Sequence, residues 1–500
     1  MNRKVTLLYI SLACVLSMQA QTRQQMGGVY YAYPEGPSAK TGTFGTATYV
    51  LSDSLNVPQG YAPFYISHYG RHGSRWMPKD DRYVWICKHF EDESNLTPLG
   101  LQVKGMLQRV WENAKGNGGK LSKLGALQHQ GIAHRMFERY PQIFAAGNAV
   151  KARSSVVDRC AKSMQAFTSE LHTLQSGLNL DVKTDSADMA WIAYVSPEVK
   201  ALENRTHVQA QVSPRRFLLQ LFKDVSKVDE PLKLMTEMHT VVSSIQDVGL
   251  NFSSYPQDIE DGLNALFTDD EFRAIYEANN LRMTINNGTV ATNEDIPARS
   301  AISLWQNIEA EADRALRSVK SSATLRFGHD TALYRLLSLL FDVNVPPAGA
   351  REEASLVVLG DEMEKMDRIV PMAANLQMIF YKNAKDSVLV KFMLNERDIM
   401  LSPVGQVIYG THYYSWNAWK QEMHERIHRL EHIRQLNAIN TMVGTAQANT
   451  QTAGMFGKGS EEHGQTIPAV LVPNGQNFWT PQTQDTEQKC IAPYYYKDTH

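Results

Sequence analysis

The chain has little cysteine, only four residues in 500. Cys14 lies in the opening segment, which leaves Cys87, Cys160 and Cys490. Three is an odd number, so at most one internal disulfide can form, and a disulfide-stapled scaffold is excluded. Charge of one sign is also lacking: 50 basic and 52 acidic residues give a formal net charge of -2. That balance excludes a broad basic field of the kind that binds nucleic acid, so any anion recognition has to be local. Beyond the first twenty residues no apolar run is long enough to cross a bilayer. What remains is an ordinary soluble composition, 43% hydrophobic and 20% charged. The length suits roughly two to four domain-sized units, or one large α/β enzyme with an insertion.

The opening, MNRKVTLLYISLACVLSMQAQTRQQ, reads as a secretory signal over residues 1–20. Arg3 and Lys4 form a positive start, Val5 to Ser17 a short apolar run, and small residues follow near Ala20. Cleavage after Ala20 puts Met18 at the −3 position, an imperfect fit, and a lipoprotein anchor at Cys14 is the lesser alternative. The protein is therefore expected to be exported, periplasmic or secreted. Four Asn-x-Ser/Thr sites, at Asn95, Asn204, Asn251 and Asn287, matter only if the source glycosylates its exports.

Further along, APFYISHYG (62–70) reads as a strand bounded by glycine. LTPLGLQVKGML and LSKLGALQHQGI each place Thr or Ser ahead of a helical apolar pattern, as an N-cap stands, with Pro98 at the first helical position. GNAVKARSS (147–155) reads as a strand entering a turn, and Val157, Cys160, Met164, Phe167, Leu171 and Leu174 then recur at helical spacing. Residues 180 to 320 are rich in helical patterns and poor in strand signals. Strand character returns at SATLRFGHD (322–330), RIVPMAANLQMIFYK and DSVLVKFMLNER, and a charged helix follows from about Trp416 to Met442. The reading is an α/β sheet domain over 21–178 and 321–440, split by a mostly α-helical insertion over 179–320, with an irregular tail over 441–500. In open α/β sheets, sites gather where strands end and helices begin.

Three such junctions carry chemistry. In SHYGRHGSRWMP (67–78), Gly70 and Gly73 permit a tight turn and close backbone approach. Arg71 and Arg75 can grip phosphate oxygens with planar forks, and a neutral His72 between them could attack a phosphorus whose oxygens the arginines have neutralised. A solvated basic turn is the plainer reading of those residues taken alone. In KARSSVVDRC, Arg153 stands where a strand should end and would complete the clamp, or else serve as a salt-bridged arginine; Arg159 falls in the following helix and suits a structural ion pair. In FGHDTAL, His329 could donate to a phosphate oxygen and Asp330 could protonate a leaving alkoxide, or simply cap the helix.

RHGSR, a distant RSS and then GHDTAL resemble the histidine acid phosphatases, the second branch of the histidine phosphatase superfamily, whose signature is Arg-His-Gly-x-Arg-x-Pro and a late His-Asp pair. LTPLG, YPQIF and PMAANLQMIFY also look like family phrases, in the flavour of multiple inositol polyphosphate phosphatases and phytase-like members. The resemblance spans about residues 60 to 420. It implies a phosphoglycerate mutase-like three-layer α/β/α sandwich with a helical cap, and hydrolysis of phosphomonoesters, plausibly inositol polyphosphates. It implies His72 as the nucleophile that becomes phosphorylated, Arg71, Arg75, Arg153 and His329 as phosphate ligands, and Asp330 as the general acid, with no metal or organic cofactor. Met77 replaces the signature proline, which comes one residue later as Pro78. The late motif is His-Asp, where animal inositol polyphosphate phosphatases carry His-Ala-Glu, so the substrate group stays open.

Two rival readings differ in class. HERIH (424–428) is a literal His-Glu-x-x-His in a helix, with His432 two turns on, and would make a zinc peptidase using Glu425 as base. Its charged flanks favour a solvated helix with ion pairs instead. A non-catalytic relative that only captures phosphorylated ligands predicts a broken catalytic set, whereas His72, Arg71, Arg75, His329 and Asp330 are all present. His68 and Tyr69 suit packing roles, and Arg215 and Arg216 in the insertion suit the surface more than extra phosphates. The residues do not decide the oligomeric state.

Overall fold

The computed structural model describes residues 22–33, 43–44, 47–48, 57–288, 290, 293–340, 365–399 and 413–454, with side chains as far as 435. The expected signal, Cys14 and Cys490 lie outside them. The chain divides into two compact units, Met1–Leu436 and Asn437–His500, and the second is helical through Gly454.

The core of the first unit is one eight-stranded mixed sheet. In chain order its strands are β1 (Tyr61–Arg71), β2 (Ala149–Ser154), β3 (Asn179–Thr184), β4 (Ser322–Gly328), β5 (Asn375–Asn383), β6 (Val388–Leu394), β7 (Arg397–Ile399) and β8 (Tyr414–Ser415). Across the sheet they run β8-β6-β5-β1-β4-β2-β3, with β7 paired to β6. The four strands β1, β4, β2 and β3 are parallel. β5 and β6 add on antiparallel, as a hairpin beside β1. Register places Arg71 opposite Gly328, and Phe327 opposite Ser154, so three parallel strands end side by side.

Both faces of this sheet are covered around the central strands, which is why β1, β5 and β6 read as largely apolar runs. On one face Ile66, Leu325, Phe327 and Ala152 pack with helices α2 (Lys123–Arg139) and α3 (Asp158–Leu174). On the other, Tyr65 and Tyr69 pack with the larger core that holds α4 (Pro231–Val248), α5 (Ile302–Leu316) and α6 (Asp330–Leu340). A mixed sheet with helices on both faces and a helical block between β3 and β4 is the expected α/β sandwich with its insertion.

Local chemistry explains the helix starts. The Ser122 hydroxyl accepts from the Gly125 amide at the head of α2, and the Thr97 hydroxyl accepts from Gly100 with Pro98 at the first position of α1 (Pro98–Ala114). The N-terminal segment 22–33 acts as a strap. Arg23 reaches Asp269 in the insertion at 2.8 Å, the Ala32 amide donates to Gln246 of α4 at 3.2 Å, and the Tyr31 carbonyl accepts from Met372 beside the sheet at 2.9 Å.

Three sequence expectations are corrected. The insertion expected from residue 179 begins only after Thr184, because 179–184 is an edge strand of the sheet. The charged helix, α7 (Trp416–Gly454), continues past 442 into the region expected to be irregular. Asn95 and Asn287, marked as acceptor sites, are buried and hydrogen-bonded to neighbouring backbone.

Candidate active site

The RHGSR loop leaves the tip of β1 and is held from all sides. The Arg71 amide donates to Ala374 at 2.7 Å, the His72 amide to Gly328 at 2.9 Å, and the Ala373 amide to His72 at 2.9 Å. Ala373 holds this clamp with φ of 60°, a strained value for a residue with a β-carbon. A β-carbon on Gly73 would stand 2.4 Å from the Gly125 carbonyl oxygen at the start of α2, so only glycine permits this approach. Gly328 is similarly constrained, since its β-carbon would meet the Tyr69 hydroxyl at 2.0 Å.

His72 is fully buried. Its Nδ1 lies 2.9 Å from the Gly73 carbonyl oxygen, which can only accept. The proton therefore belongs on Nδ1, and the lone pair on Nε2, which has no hydrogen-bond partner among the described residues. Burial, then the charges of Arg159, Arg71 and Arg75, hold the imidazole well below its ordinary pKa and keep it neutral. The His329 ring stands edge-on at 5.8 Å between centroids. Its Nε2 lies 3.3 Å from the Ser155 hydroxyl, and burial and the Arg159 charge bring its pKa down to about 3.

Arg71 is buried, with Nη1 donating to the Val29 carbonyl of the strap at 2.8 Å and also to Val370, and Nη2 3.1 Å from Asp330 Oδ2. Arg75 lies with its guanidinium carbon 5.5 Å from the centre of the Tyr30 ring, while Nη1 donates to Trp76 at 2.8 Å. Asp330 opens α6. Burial pushes its carboxyl up, but Arg71, His329 and Arg75 outweigh that and leave it below its ordinary value. Its Oδ1 accepts from the amide of Thr331, the next residue, whereas an N-cap side chain accepts from two or three residues on.

Five sequence-nominated residues, Arg71, His72, Arg75, His329 and Asp330, thus converge. Arg153 does not join them. Its Nη2 is 2.6 Å from Asp181 and its Nε 3.9 Å from Asp188. Register explains this: Arg153 pairs with Arg326, which pairs with Tyr69, two rows short of Arg71. Arg159, expected in a structural ion pair, instead lies close enough for its charge to bear on both site histidines, His72 and His329. It is buried in the first turn of α3, and its Nε has no hydrogen-bond partner among the described residues. An arginine just inside the helix after a parallel strand was the available signal.

Tyr69 and His68 pack as expected. The Tyr69 hydroxyl donates to Ile192 at 2.8 Å and accepts from the His329 amide, and His68 lies between Phe167 and Phe327. Met77 is buried and Pro78 follows it outside the site. Arg216 pairs with Glu271, and Arg215 is exposed. Cys87 and Cys160 are free thiols, Cys160 donating to Gly328 at 3.2 Å. In the HERIH helix, His424 and His428 are exposed and His424 bonds Glu309 at 2.8 Å, while Arg426, expected on a solvated face, is buried against the Ser338 carbonyl. Among the described residues no three His, Cys, Asp or Glu side chains cluster as a metal site would, and no helix is long and apolar enough to cross a membrane.

A neutral histidine at the tip of a parallel strand, facing arginines and a His-Asp pair from the next strand, is the arrangement that the resemblance to the histidine acid phosphatases implies, and the fold is theirs. No family model matches the chain. Its sequence is similar to multiple inositol polyphosphate phosphatase 1 of Gallus gallus, 23% identical over 338 residues that make up 65% of this chain and 73% of that protein. The multiple inositol polyphosphate phosphatase of Bifidobacterium longum, solved with inositol hexasulfate, matches with a TM-score of 0.61 at 16% identity, over 80% of this chain and 97% of that one. The phytase of D. castellii matches with a TM-score of 0.54 at 13% identity, over 81% of this chain and 85% of that one. These relatives are phosphoric monoester hydrolases of the histidine acid phosphatase family.

Proposed function

We propose that the protein is an exported phosphomonoesterase that works through a phosphohistidine on His72, with inositol polyphosphates as its substrate class. The observation that carries this is the orientation of His72: Nδ1 is tied to the Gly73 carbonyl, which leaves Nε2 as the nucleophile among three buried arginines. Arg71, Arg75 and Arg159 take up the charge of the phosphoryl oxygens, and His329 adds a donor. The Nε2 lone pair forms a bond to phosphorus as the ester P–O bond breaks. Asp330 gives its proton to the leaving alkoxide. Arg71, His329 and Arg75 hold that carboxyl low; a phosphate dianion gripped by the two arginines offsets their charge and lifts the carboxyl toward the protonated form. Water, giving a proton back to Asp330, then attacks phosphorus, and the N–P bond breaks to release inorganic phosphate. No metal or organic cofactor enters these steps.

The substrate class rests on the relatives' names, and export on the charged start and apolar run of residues 1–20. Phosphate release from an aryl phosphate and from phytate, with excess EDTA, tests the reading. Release is expected to persist in EDTA and to vanish in His72→Ala. Release that EDTA abolishes, or that survives His72→Ala, overturns it. Amino-terminal sequencing of the exported protein, expected to start at Gln21, tests the leader.

A further inference from the structure

The residue between the two halves of the phosphate-gripping loop is Ser74, and every polar atom it has is engaged. Its amide donates to Gln128 Oε1 at 2.8 Å, and its carbonyl accepts from the amide and hydroxyl of Ser122, each at 2.9 Å. Its hydroxyl accepts from Gln128 Nε2 at 2.9 Å and donates to Oδ1 of Asp247 at 2.5 Å. Asp247 comes from the last turn of α4, in the helical insertion, and is fully buried. Its other oxygen has no hydrogen-bond partner among the described residues. A buried carboxyl so placed is costly unless it serves the fold or the site.

We propose that Asp247 is a positioning residue for phosphoryl transfer, through which the insertion sets the Ser74 hydroxyl and with it the geometry of Arg71, His72 and Arg75. The inference rests on the phosphatase reading of that loop. Ser74 is two residues from His72 and adjacent to Arg75, so a shift of the loop at Ser74 moves both. Burial drives the Asp247 carboxyl well up despite the Ser74 hydrogen bond and the charges of Arg71 and Arg75. A neutral acid can accept from Ser74 without drawing the two arginines away from a phosphate. Truncation leaves the hydroxyl with no acceptor in a dry site.

The test compares wild type, Asp247→Ala, Asp247→Asn, Ser74→Ala and the Asp247→Ala/Ser74→Ala double variant. It reads kcat and KM on an aryl phosphate per folded molecule, and inorganic phosphate binding by calorimetry. Asp247→Ala is expected to lose about 10- to 100-fold in kcat/KM, as sub-ångström to 1 Å misplacement of a site does. Asp247→Asn, whose amide oxygen still accepts from Ser74, is expected to stay near wild type. Ser74→Ala should match Asp247→Ala, and the double variant should lose no more than either single one. Asp247→Ala that is folded and as active as wild type overturns the proposal, as do additive losses in the double variant. Asp247→Asn as impaired as Asp247→Ala also overturns it, and this comparison stands if the alanine variant does not fold and Ser74→Ala supplies the reference loss. A wild type that binds phosphate without turnover retires the phosphatase reading, and weakened phosphate binding in Asp247→Ala still supports the positioning role. A wild type that does neither overturns both.

Discussion

Arg71, the last residue of β1, and Asp330, the first of α6, meet at 3.1 Å between Nη2 and Oδ2 in a buried pair that spans two neighbouring strand ends. In the proposed mechanism this pair couples the phosphate grip to the acid. Without phosphate, Arg71, His329 and Arg75 keep the carboxyl ionised; a phosphate that draws on the Arg71 charge lets the carboxyl hold the proton that the leaving group needs.

The pairing predicts a leaving-group split. Asp330→Asn keeps a hydrogen-bonding group beside Arg71 but cannot give up a proton. Release from an inositol phosphate, whose alkoxide is a poor leaving group, should fall by about 100-fold or more. Release from p-nitrophenyl phosphate, whose phenolate leaves unaided, should fall much less. Equal losses on both substrates would remove Asp330 from the acid role.

Arg153 in β2 and Arg159 after it are predicted to separate cleanly. Arg159→Ala removes a buried charge that acts on His72 and His329, and should cost about 100-fold in kcat/KM. Arg153→Ala breaks pairs with Asp181 and Asp188 at the sheet edge and should lower the melting temperature with little change in turnover per folded molecule. The reverse pattern in the same kinetic and thermal assays would restore Arg153 to the site.

These two residues also mark how far the sequence could be read. Motif order pointed to five residues that the structure places side by side, because each lies at or just beyond a strand tip and the sheet brings the tips of parallel neighbours together. Arg153 failed because a strand's end in sequence is not its end in register, and two rows separate it from Arg71. The edge strand Asn179–Thr184 escaped notice because NLDVKT has an exposed, polar face and offers little apolar alternation. Asp247 gave no signal at all: it lies more than 170 residues from Ser74 and looks like an ordinary helical acid. Arg426 looked solvated because its neighbours are charged, yet it sits on the helix stripe with Trp419, Met423 and Leu430.

Acid should weaken the protein. His68, His129, His239 and His329 are all pressed down to about 3, burial being the first cause in each. Between about 3 and the unfolded value near 6.5, the unfolded chain binds these protons and the native one does not. Stability therefore rises with pH across that window and falls as pH drops through it, by about 1.4 kcal/mol per unit for each histidine. His239 is the clean probe, because it packs on Phe272 in the insertion, away from the site. Denaturant titrations from pH 7 to 4 should show a slope shallower by about that amount in His239→Met. An unchanged slope would mean that His239 does not titrate differently on folding.

The strap supplies the last prediction. Residues 22–33 give Arg71 the Val29 carbonyl and Arg75 the Tyr30 ring, and they tie both to the insertion through Arg23 and Gln246. A chain starting at Pro34 loses one acceptor of a fully buried guanidinium and the aromatic face of a second. A buried donor without its acceptor costs about 1–3 kcal/mol, and the ring face about 1 kcal/mol. The truncated protein should therefore melt earlier, and its kcat/KM per folded molecule should fall at least about tenfold if both arginines hold phosphate as proposed. Tyr30→Phe keeps the ring face and should keep that part of the activity, whereas Tyr30→Ala should raise KM for an aryl phosphate. Full activity in the folded truncated chain would mean that Arg71 and Arg75 hold their places without the strap.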